Sequence, residues 1–178
     1  MDTQLSLVIA KSNAGRLSRQ KITDAFLNQV YPLDELMVLA LDISNKNHYK
    51  AIWIVELLAE ENIFFLNPYV TDILTVSGKF KHQSAVRGCS RILYFMSSSK
   101  LLTLSETQKN LIIETCLDWL IDNQKVACKA LSLKTLAYLN NEFNWLKEEL
   151  KEIIAKDYSQ QSPGYQAAAR EVLSRIKP

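Results

Sequence analysis

Acid–base, nucleophilic and metal chemistry needs particular residue types at particular spacings, and this chain carries few of them. It has two histidines, His48 and His82. Neither stands in an HExxH or other metal-ligand spacing, and each falls at the start of a predicted helix, so both are expected at the surface. Glu60-Glu61 and Glu148-Glu149 place carboxylates in helices already rich in charge. A solvated face explains them without catalysis. Cys89, Cys116 and Cys128 are an odd number at spacings that match no zinc or disulfide framework. Cys89 and Cys116 fall on core-facing stripes, where a thiol acts as a small hydrophobe. No GxSxG, GxGxxG or Walker-type loop occurs, and four isolated glycines cannot build a phosphate cradle. No catalytic residue, metal site or cofactor is expected, and the residues favour a chain that is not an enzyme.

The elements that must carry any site are read from composition and periodicity. The 178 residues suffice for one domain with a sizeable core, and 48% of them are hydrophobic. Four glycines and four prolines leave little turn chemistry for an all-β fold, so helices are expected almost throughout. Apolar positions recur every 40 residues: Leu33, Ile73, Ile113 and Ile153 form one column, and Trp53, Leu93, Leu133 and Leu173 another. Leu36, Val76 and Cys116 form a third that fails at Lys156. Met96, Leu136 and Ile176 form a fourth that fails at Glu56. Such a period is the mark of stacked supersecondary units.

Helix punctuation agrees with that period. Pro32 suits the first turn of a helix to about Ser44, and Asn45 and Asn47 can cap the next, to about Glu61. Pro68 leads a helix ended near Gly78, with a partner over about Gln83 to Met96. Ser105 with Gln108 reads as a capping box for a helix to about Asp122, and Asn123 starts its return to about Leu139. The last pair covers about Trp145 to Tyr158 and Tyr165 to Ile176, with Ser162-Pro163 as cap and first turn. Residues 1–31 read as a less regular pair with Ser18 as a cap. The expectation is one domain over 1–178, with hairpins at 32–62, 67–99, 105–140 and 144–177. Lys129 and Ser132 break the apolar stripe of the third unit, where a one-residue drift of register is expected.

Two helices per unit at this period resemble the HEAT and armadillo class of α-solenoids over about residues 32–177, with 1–31 as a terminal cap. The resemblance implies an all-α, right-handed α–α superhelix whose second helices line the concave surface. HEAT repeats often place a basic residue early in the second helix. Arg87 answers to that, while Asn47, Ala127 and Ala167 do not.

Charge then suggests where a partner would bind. The first helices of the four units sum to −7, and the last three second helices to +7. The first of the second helices, with Glu56, Glu60 and Glu61 against Lys50, sums to −2. Arg87, Arg91 and Lys134 fall opposite the apolar stripe, Arg170 falls near its edge, and Tyr94 shares the column of Lys134. A mildly basic groove follows, suited to a protein or acidic peptide, with nucleic acid as the alternative. These five residues are the expected partner contacts of a scaffold.

Certain DNA glycosylases that excise alkylated bases also use a HEAT-like solenoid, with aromatic side chains, a carboxylate and arginines at the lesion. Trp53, Trp119, Trp145, Asp118, Asp122, Arg87 and Arg91 are the right types, but their positions match poorly. Met96-Ser97-Ser98-Ser99-Lys100 falls short of the signature loop of the fumarase superfamily, lacking its glycine, proline and asparagine. No signal peptide or membrane-length apolar run is read, so a cytoplasmic, non-membrane setting is expected.

Overall fold

The computed structural model describes residues 4–176, and among them there are ten α-helices and no strand. They are α1 (Gln4–Lys11), α2 (Arg16–Leu27), α3 (Leu33–Leu41), α4 (His48–Glu61) and α5 (Val70–Ser77). The rest are α6 (Gln83–Ser98), α7 (Glu106–Ile121), α8 (Val126–Leu139), α9 (Leu146–Asp157) and α10 (Pro163–Arg175). Residues 1–3 of the expected cap pair, and Lys177 in the charge sum, lie outside the described residues. None of the described helices is long and apolar enough to cross a membrane.

Local sequence explains most boundaries. The Ser105 hydroxyl accepts from the Gln108 N–H while the Gln108 side chain accepts from the Ser105 N–H, so the capping box at α7 is complete. Ser162 accepts from the Tyr165 N–H, with Pro163 in the first turn of α10. Three starts differ from expectation. Pro32 is the N-cap of α3 rather than its first helical residue. Gly15, not Ser18, precedes α2; the Ser18 hydroxyl accepts from the Asn13 N–H instead. α8 begins at Val126, because Lys125 takes the extended N-cap conformation. Pro68 sits within a 3₁₀ segment, Ile63–Tyr69, before α5.

The chain divides into two compact units, Met1–Ile92 and Leu93–Pro178. In the first, α4 is the central helix: residues 51–59 are all buried, with α2 and α3 packed on it. Gly88 allows α6 to approach α4, since a Cβ there would stand 2.7 Å from Ile52 Cγ2. In the second unit α8 holds the centre, packed against α7, α9 and α10. Its core includes Cys128, Leu133, Leu136 and Leu139, with Trp119 of α7, 2% exposed. Fully burying a side chain of this size contributes ~1.5–3 kcal/mol.

Two repeat columns of the second helices are core positions whatever occupies them. Ile52, Ile92, Ser132 and Val172 are at most 1% exposed, and Glu56, Met96, Leu136 and Ile176 at most 3%. The expected drift at Lys129 and Ser132 is therefore corrected. Register holds, and both polar residues are buried in their columns. The first-helix column is looser, with Ile73 and Ile113 buried and Leu33 and Ile153 half-buried. All three cysteines are buried, and the Cys89 thiol donates to the Ser77 hydroxyl at 3.2 Å.

The histidine expectation is half right. His82 is exposed, but His48 is buried, its ring stacked on Phe80 at 5.6 Å. His48 Nδ1 lies 2.7 Å from the Asn45 carbonyl oxygen, and the His82 ring stacks on Tyr49 at 3.8 Å. Burial, then the neighbouring His48, pushes the His82 pKa below its ordinary value.

Candidate functional site

The five expected contacts fall in two groups, and carboxylates decide how much charge each group presents. In the first unit, Arg87 is exposed and makes no ion pair among the described residues. Arg91, one turn later on α6, is committed elsewhere. Its guanidinium meets Glu56 Oε1 at 3.1 Å and Glu60 Oε1 at 2.8 Å. Glu60 also takes Arg16 at 2.9 Å, and Arg19 of α2 stands 3.9 Å from Glu56 Oε2. Glu56 thus fills a core slot of α4 with a carboxylate that α2 and α6 reach with arginines. Its side chain is 1% exposed, and among the described residues neither Glu56 Oε2 nor Arg19 Nε has a hydrogen-bond partner. A carboxylate taken fully out of water needs such countercharge, because its desolvation is costly.

In the second unit the cations lie on an aromatic surface. Tyr94 and Tyr138 meet edge to face at 5.7 Å, and the Arg175 guanidinium stands 5.4 Å from the centre of the Tyr138 ring. Lys134 reaches Glu171 at 2.7 Å, and Glu171 also takes Arg175 at 2.8 Å. The Lys134 hydrogen bond is the main reason the Glu171 carboxyl sits below its usual range. Burial, then the hydrogen bond with Tyr138, pushes the Tyr94 phenol up. Arg170 is exposed and donates to the Tyr158 hydroxyl at 2.7 Å.

Tyr94 and Lys134 therefore join one patch, to which Tyr138, Arg175 and Glu171 belong as well. The last three carry no signal in a per-helix charge sum, which is blind to which side chains meet. Glu56 was visible as the misfit in an otherwise apolar column, and Arg19 carried no such signal.

The residues weighed for base excision are differently placed. Trp53 and Trp119 are 7% and 2% exposed, which closes them to stacking with a base, whereas Trp145 is 53% exposed. Asp118 and Asp122 are exposed at the end of α7. Among the described residues no group of three or more His, Cys, Asp or Glu side chains could hold a metal ion.

A family model described as a HEAT repeat domain matches residues 3–176. No curated protein and no solved structure matches the chain.

Proposed function

We propose that this chain, which belongs to the HEAT repeat domain family, is a non-catalytic scaffold that holds an acidic protein segment on its second helices. HEAT repeats generally serve as protein-interaction scaffolds. The patch around Tyr138 carries the reading. Two tyrosines supply flat contact area at low cost in side-chain entropy, and Lys134 and Arg175 flank them and share Glu171 as counterion. A partner carboxylate competing with Glu171 would gain both cations. Arg170 adds a further exposed charge in this unit, and Arg87 does so in the first.

Arg91 stays among the proposed contacts at reduced weight, since Glu56 and Glu60 already hold it. The repeat organisation proposed is four helical hairpins and an N-terminal cap pair. The setting proposed is the cytoplasm, which suits cysteines at spacings that match no disulfide framework.

The test is fluorescence anisotropy with a labelled poly-glutamate peptide and a labelled 20-base-pair duplex, each across a salt series. The reading expects the peptide to bind, to weaken as salt rises, and to weaken at least tenfold on Arg175→Glu or Tyr138→Ala. Peptide binding indifferent to salt and to both changes would sink it. Preference for the duplex would replace it with the nucleic-acid alternative.

A further inference from the structure

The first unit carries a second surface of opposite character, on its first helices. Between α3 and α5 runs an open groove of about 340 Å³, lined by Asp34, Met37, Val38, Leu41, Tyr69, Asp72, Thr75 and Val76. Its chemistry is graded along its length. Asp34 and Asp72 lie in the first turns of their helices, and the Tyr69 hydroxyl donates to Asp34 Oδ1 across the two. That contact sets the acidic ends of the helices side by side. Towards the other end come Val38, 70% exposed, then the half-buried Leu41 and Val76. Positions 34, 38 and 41 share one side of a 3.6-residue helix, as do 69, 72 and 76 on the other wall.

Both aspartates are exposed, and among the described residues neither makes an ion pair. Elsewhere in the same unit Glu56 and Glu60 are held by three arginines. Acidic residues in a first turn do help a helix through its dipole. That accounts for their location on α3 and α5, and leaves the exposed apolar floor beside them unexplained. The Tyr69 phenol is pushed up to about 12 by burial and by Asp34, and its hydroxyl donates to that carboxylate at the groove.

We propose that the α3–α5 groove docks a basic, apolar segment of a protein partner, with a Lys or Arg against Asp34 and Asp72 and an aliphatic side chain on Val38, Leu41 and Val76. Charge complementarity selects this occupant. Two uncompensated carboxylates at one end and apolar side chains at the other match a cation one or two turns from an aliphatic residue. The surface is separate from the second-helix patch and calls for a partner segment of the opposite sign.

The experiment uses the whole chain and three labelled 12-residue probes. One is built of Lys and Leu with amphipathic spacing, one has Ser for every Leu, and one has Glu for every Lys. The Lys/Leu probe should bind at least tenfold tighter than either control. Asp34→Asn with Asp72→Asn should cost about tenfold, as should Val38→Glu alone, with circular dichroism showing each variant folded. Arg175→Glu should leave this binding unchanged, which keeps it distinct from the second-helix reading. Equal binding of the Lys/Leu and Lys/Ser probes, or indifference to both groove variants, would overturn the proposal. Sedimentation of the chain alone addresses the other occupant: a dimer dispersed by Val38→Glu would put a second copy in the groove and overturn it equally.

Discussion

Helices α4 and α8 hold the same place in their respective units, central and packed on by several neighbours, yet they handle polar intrusions in opposite ways. α4 takes a full negative charge into its core stripe at Glu56 and draws on Arg19 and Arg91 to tolerate it. α8 takes Lys129 and Ser132 into its stripe, and the acidic partner of its other lysine, Lys134, lies on the half-exposed side. The consequence is that similar cations do different work. Arg91 is a strut for a buried carboxylate, whereas Lys134 pairs with a carboxylate that is itself partly exposed. α6, which carries Arg91, and α8 each have two basic residues, and that count conceals the difference.

The largest expected effect breaks the α4 side of that contrast. Glu56→Ala should lower the unfolding free energy by about 3 kcal/mol in a denaturant titration, because it leaves Arg19 and part of Arg91 without their counterion. Gly88→Ala should cost about 1–3 kcal/mol by the same measurement. The new methyl meets Ile52 Cγ2 at 2.7 Å, so the buried Ile52 side chain or the helix pair must give way. Lys134→Ala, on the α8 side, should stay within ~1 kcal/mol of wild type, since both it and Glu171 are partly exposed. Its effect should appear instead as weaker capture of the poly-glutamate probe.

The smallest effect concerns pH. Folding holds the His82 pKa below its ordinary 6.5, so the unfolded chain binds that proton more readily. The associated stability is complete above about pH 6.5 and is lost as pH falls through the lowered value. The melting temperature should therefore drop modestly between pH 7.5 and 5.5, and His82→Gln should flatten that slope.

Much of the fold was legible in the sequence, because a helical repeat writes itself twice, in its spacing and in its caps. The Ser105–Gln108 capping box and the Ser162-Pro163 start are local signals, and they fold as read. Pro32, Ser18 and the start of α8 were not legible to the residue. Each permits two or three helix starts, and tertiary packing selects one. The larger loss was at Glu56, Lys129 and Ser132. These looked like breaks in the pattern, although the register there is unbroken and all three residues are buried. Period alone reports where the core is. Which polar side chains are admitted to it depends on neighbours such as Arg19, 37 positions away in sequence and on another helix. The aromatic patch was half visible for the same reason: Tyr94 shares a repeat column with Lys134, while Tyr138 and Arg175 meet only through side-chain geometry.

The contrast between strut and contact is tested most directly by a pair of double-mutant cycles on unfolding free energy, one for Glu56–Arg91 and one for Lys134–Glu171. The account predicts a coupling of about 2 kcal/mol or more for the first and below ~1 kcal/mol for the second. Equal couplings, or a larger one at Lys134–Glu171, would contradict it.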